Sequence, residues 1–146
     1  MKTLIVLKAT HDGKERRFSE EDFEKAFDIM KKIEHLKDSG MKIFHSMTVN
    51  SRGMAEVIGN SLEFSLFYTP ILNSPLDFSD IETLVSAHEN EAGTIVLIGD
   101  SNLIYFVDFY AHRFGVKGET YPIGKIGGYI LSEEGLERIK GKRATS

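Results

Sequence analysis

The chain has 146 residues, 41% of them hydrophobic and 27% charged, which fits one domain built around one core. A net charge of -4 argues against a general nucleic-acid or anionic-membrane binder, and the absence of cysteine excludes disulfides, thiolate metal sites and cysteine nucleophiles. No signal-peptide core follows Met1-Lys2-Thr3, and no apolar run approaches the ~20 residues that span a bilayer, so a cytoplasmic protein is expected.

Strand-like and helix-like patterns alternate along the chain. Thr3 to Lys8 is a largely apolar, β-branched run, the signature of a strand covered on both faces. Ser19 to Lys37 reads as a helix, with Ser19 as cap and Asp22 in capping-box position. Phe23, Ala26, Phe27, Met30, Ile33 and Leu36 then share one face, and Gly40 suits the residue after the helix end. Met41 to Phe44 is a short second strand, and a helix starts near Arg52 with Met54, Val57 and Ile58 on one side. Glu63 to Tyr68 alternates as a third strand that Pro70 stops.

Ser79 caps a helix running to about Asn90, whose inner face includes His88. Thr94 to Ile98 is a fourth strand with its turn at Gly99-Asp100-Ser101. Asn102 to Phe114 reads as an aromatic-rich helix ended by Gly115. Gly124, Gly127 and Gly128 lead into a strand-like run, so they predict a turn and bulge rather than a phosphate loop. Tyr129 to Leu131 is the last predicted strand, and the basic residues Arg138, Lys140, Lys142 and Arg143 read as a solvated tail. Alternating strands and helices predict a three-layer α/β/α sandwich around a mainly parallel sheet.

In such a sheet the carboxyl ends of the strands share one edge, and ligands bind in the crevice there. Three strand ends carry polar groups: Thr10-His11-Asp12, His45-Ser46 and Gly99-Asp100-Ser101, with Arg52 close behind the second. His11, Asp12 and Asp100, with His45, would be acceptable nitrogen and oxygen ligands for zinc or manganese. No short ligand-spaced motif supports a metal, so no metal and no cofactor is expected. Ser46 lacks a base and orienter pair and reads as a turn residue rather than a nucleophile.

This layout resembles the histidine phosphatase superfamily, which includes the phosphoglycerate mutases, and within it the short bacterial phosphohistidine phosphatases. The family opens with a strand followed by Arg-His-Gly, where this chain has Thr10-His11-Asp12. Its second signature is a strand, Ser, then Arg and a Thr-Ala pair on a helix; here Ile43-Phe44-His45-Ser46 precedes Arg52 and Ala55. Its third is an apolar strand ending in Gly-His, where this chain has Gly99-Asp100. The resemblance implies the family's phosphoglycerate mutase-like fold, His11 as phosphoryl acceptor and Arg52 as phosphate ligand. Thr10, Asp12, Ser46 and Asp100 become the other pocket residues. It also implies a phosphorylated protein or a small phosphate ester as partner.

The departures from the pattern weaken that chemistry. The arginine before the nucleophile is Thr10, the glycine after it is Asp12, and the second histidine is Asp100. Asp77, Asp80 and Glu82 lie where the acidic proton donor belongs, and nothing singles one out. Phosphoryl transfer relies on positive charge around the equatorial oxygens. Carboxylates repel that phosphate and favour imidazolium at His11, which has no lone pair for attack. A weak or inactive phosphatase with a binding role is therefore expected, with an active phosphatase using His11 as the alternative. Apolar residues around most of the Asn102 to Phe114 segment, with Tyr105, Phe106 and Phe109 beyond the core stripe, predict burial on more than one side and so self-association.

Overall fold

The computed structural model describes residues 1–10 and 17–143. Strand β1 (Thr3–Ala9) is followed by helix α1 (Glu20–Ile33), β2 (Lys42–His45), α2 (Val49–Leu62) and β3 (Leu66–Tyr68). Then come α3 (Phe78–His88), β4 (Thr94–Gly99), the short α4 (Phe106–Tyr110), β5 (Ile126–Ser132) and β6 (Gly135–Lys140). The six strands form one sheet in the order β3-β2-β4-β1-β5-β6. β1 to β4 run parallel, while β5 pairs antiparallel with β1 and β6 antiparallel with β5.

Strand periodicity of two sends alternate side chains to opposite layers. Ile5, Leu7, Ile43, Val96 and Ile98 pack against Ala26, Ile29 and Ile33 of α1 and Met54 and Ile58 of α2. Leu4, Val6, Phe44, Ile95 and Leu97 pack on the other face against Ile81 and Val85 of α3 and Phe106, Val107 and Tyr110 of α4. The three-layer α/β/α architecture expected from the sequence is thus present. No helix among the described residues is long and apolar enough to cross a membrane.

The Ser19 capping box forms in full: its hydroxyl accepts from the Asp22 N–H, and Asp22 Oδ2 accepts from the Ser19 N–H. Other boundaries differ from expectation. α2 begins at Val49, not Arg52, because Thr48 caps it by accepting from the Ser51 N–H. α3 begins at Phe78 with Asp77, not Ser79, as its cap. β3 starts only at Leu66, since Glu63 ends α2 in a left-handed conformation with φ 62°.

The carboxyl-terminal segment is a strand rather than a solvated tail. β6 completes a hairpin with β5, Arg138 donates to the Pro122 carbonyl, and Ile139 is buried. Gly127 and Gly128 lie inside β5, where Gly128 sits opposite Leu7 of β1. A Cβ on Gly128 would come within 2.9 Å of the Leu7 Cα, so only glycine lets the strands approach this closely.

The aromatic segment is not one continuous helix. A 3-10 turn (Ser101–Tyr105), α4 and a second 3-10 turn (Ala111–Phe114) succeed one another. Switching from three to 3.6 residues per turn rotates the faces, and Phe106, expected to point outward, is fully buried. Its ring meets Phe78, Phe109 and Tyr110 at centroid distances of 5.7, 5.8 and 5.3 Å. Much of the apolar surplus is therefore consumed within the chain.

Candidate functional site at the strand ends

β1 and β2 lead into helices on one face of the sheet, whereas β4 leads to the other face. Adjacent strands whose connections diverge leave a crevice between them. A cavity of about 430 Å³ occupies that place, lined by Ala9, Thr10, Thr48, Asn50, Asp100, Ser101 and Asn102. A second cavity, of about 510 Å³, lies at the opposite sheet edge among Thr3, His35 and the β5–β6 turn.

Thr10 enters the first cavity as β1 ends, with its N–H and hydroxyl both bonded to the Lys125 carbonyl. The structure thus brings together Thr10 and Asp100 of the residues expected there. His11 and Asp12 lie outside the described residues.

Ser46 is fully buried and is not among the residues lining the cavity, though it adjoins Thr48, which is. Its N–H donates to the Ile98 carbonyl at 3.0 Å, tying β2 to β4. Its hydroxyl lies 3.3 Å from Thr48 Oγ1, which donates to Ser51 Oγ at 2.8 Å. This hydroxyl chain holds the start of α2 against the sheet edge. Beside it, His45 Nδ1 donates to the Ser46 carbonyl at 2.8 Å. Among the described residues, no cluster of three or more metal-ligating side chains is present.

Arg52 is placed elsewhere. Starting α2 three residues earlier turns its side chain outward, where it is 71% exposed and pairs with Glu56 at 3.1 Å. The i,i+4 spacing on one helix face produces this pair without help from the fold. The guanidinium is not among the groups lining the cavity.

Asp100 does not cap the following turn with its carboxylate; its main-chain carbonyl accepts from the Leu103 N–H instead. Among the described residues its side chain has one contact, at 3.5 Å with the Ser74 hydroxyl, which leaves most of its acceptor capacity unused by them. It is the sole charged side chain among the described lining residues, and none of them is cationic. Of the acidic residues near α3, Asp77 is committed to its cap and Glu82 faces Arg113 at 3.6 Å.

The sequence reading overlooked Asn50. It is 1% exposed, it lines the cavity, and neither its Nδ2 nor its Oδ1 has a hydrogen-bond partner among the described residues. Leaving both halves of a buried amide unpaired costs on the order of 1–3 kcal/mol per group. The signal was Thr48-Val49-Asn50-Ser51, where a capping threonine sets Asn50 in the first turn of α2.

No family model matches the sequence, and no curated protein matches it. The fold is nevertheless shared with solved structures. The protein histidine phosphatase SixA complexed with tungstate is 15% identical, with 96% of each chain covered and a TM-score of 0.65. A putative phosphohistidine phosphatase SixA from Agrobacterium tumefaciens is 15% identical over 94% of this chain and 95% of that one, with a TM-score of 0.68. A phosphoglycerate mutase from Plasmodium falciparum is 19% identical over 99% of this chain and 92% of that one, with a TM-score of 0.57. The expected resemblance thus holds at the level of architecture: this chain shares the fold of these phosphohistidine phosphatase and phosphoglycerate mutase structures.

Proposed function

We propose that this chain is a histidine phosphatase-like protein whose strand-end cavity binds a ligand but transfers phosphoryl groups weakly or not at all. The observation that carries this reading is the charge of the cavity wall: Asp100 and no cation among the described lining residues. At 4 Å and an effective dielectric near 20, each unit of like charge costs a bound phosphate about 4 kcal/mol. The amino terminus of α2 offers roughly half a unit of positive charge, which does not offset a full carboxylate at similar distance. In this reading Thr10 and Asp100 contact the ligand directly, and Asp12 is the further ligand residue proposed from the sequence. Ser46 holds the start of α2, and Arg52 stays in solvent paired with Glu56.

The alternative is an active phosphohistidine or phosphomonoester phosphatase. It draws on one feature: Thr10 stands on the cavity wall, and His11 follows it in the sequence. There His11 would take the phosphoryl group, and water would release it.

Hydrolysis of an aryl phosphate and of a phosphohistidine peptide separates the two readings. Turnover by the native chain at or barely above that of His11→Ala is the expected result. Brisk turnover that His11→Ala abolishes would overturn the proposal and establish the enzyme.

A further inference from the structure

We propose that the strand-end cavity takes a zwitterionic α-amino acid, its carboxylate against the start of α2 and its ammonium against Asp100. This rests on the reading above that the cavity binds a ligand other than phosphate. Three features of the cavity wall converge on it. α2 is a 14-residue helix, and the N–H groups of Val49 and Asn50 in its first turn have no protein acceptor among the described residues. That end is a donor-rich, partly positive surface suited to a carboxylate. At the same cavity, Asp100 presents a carboxylate that no described cation neutralises. The two walls therefore carry opposite signs.

Asn50 belongs to the positive wall and supplies the link. Its buried amide holds an NH2 group and a carbonyl oxygen, both unpaired among the described residues. A purely anionic ligand would satisfy only Nδ2, and a purely cationic ligand only Oδ1. An α-amino acid carries its carboxylate and its ammonium on one carbon, so a single ligand offers an acceptor to Nδ2 and a donor to Oδ1. A volume of about 430 Å³ accommodates such a molecule. Phosphate fits this wall poorly, because two of its interactions would be favourable and the one with Asp100 repulsive.

The test is ligand-observed NMR on the full chain with the standard L-amino acids, one at a time. Ethylamine, acetate and inorganic phosphate serve as comparisons. At least one amino acid is expected to bind saturably, with ethylamine and acetate at least about tenfold weaker. Asn50→Ala and, separately, Asp100→Asn should each weaken that binding about tenfold or more, the scale of one charge-assisted hydrogen bond. Asp100→Asn changes a partly exposed side chain with a single long contact, so it reports on binding even if Asn50→Ala fails to fold. Absence of any amino-acid binding overturns the inference and leaves the absence of phosphatase turnover to stand alone. Amino-acid binding unchanged in both variants also overturns it. Saturable phosphate binding without amino-acid binding overturns both this inference and the impaired-pocket reading.

Discussion

Gly128→Ala perturbs the closest approach in the sheet, where β5 crosses opposite β1 just below the cavity. The new methyl carbon would stand 2.9 Å from the Leu7 Cα and closer still to the Val6 carbonyl oxygen. Favourable carbon contacts begin near 3.5 Å, so β5 must withdraw by roughly 0.6 Å or more. Both colliding groups are backbone, and no rotamer change relieves them. Overpacking of this kind costs about 1–3 kcal/mol, and each weakened ladder hydrogen bond adds about 1 kcal/mol. A loss of about 3 kcal/mol follows. With a urea slope near 2 kcal/mol per molar, the midpoint should fall by about 1.5 M in urea unfolding followed by circular dichroism. Gly124→Ala is the internal control. A Cβ there meets nothing within 4 Å, so the same substitution should leave the midpoint unchanged or slightly raised. Equal midpoints for the two variants would refute the steric reasoning.

Ser19→Ala removes one half of the capping box on α1 and should cost about 1 kcal/mol, read as a lower urea midpoint with unchanged slope. Arg52→Ala should leave ligand binding within about twofold, because its guanidinium sits in solvent beside Glu56; a loss of tenfold in a titration would place it at the ligand instead. Burial raises the Tyr110 phenol above its ordinary range, with Glu89 adding to the shift and Arg113 opposing it. A raised folded-state value gives stability that is full below pH 10 and declines as pH climbs through the folded-state value. Melting temperatures across that range should therefore drop less in Tyr110→Phe than in the native chain, and equal drops would contradict the burial argument. Light scattering at high concentration should report a monomer, since Phe106 is spent internally; a dimer dissolved by substituting Tyr105 and Phe109 would restore the self-association expected from the sequence.

The layered core was legible because its signals are local. Leu4 to Leu7 and Ile95 to Ile98 are uninterrupted apolar runs, and Ser19 with Asp22 is a complete capping signature within four residues. β6 was hidden because Gly135 to Lys140 carries three charged residues, and its half-buried state exists only through pairing with β5. Phe106 was misplaced because the sequence does not announce where 3-10 turns replace α-helix.

At the cavity the division is sharper. That polar groups would gather at the carboxyl ends of β1 and β4 followed from the alternation of strands and helices alone, and Thr10 and Asp100 meet there. Which side chain of early α2 turns inward depends on where the helix starts. One capping bond at Thr48 rotates Arg52 to solvent and Asn50 to the cavity, because each residue advances the helix by about 100°. Chain order set the edge on which the site lies; the start of α2 against the sheet, fixed by the Thr48 cap and by the Ser46 N–H bond to the Ile98 carbonyl, chose the side chains that face it.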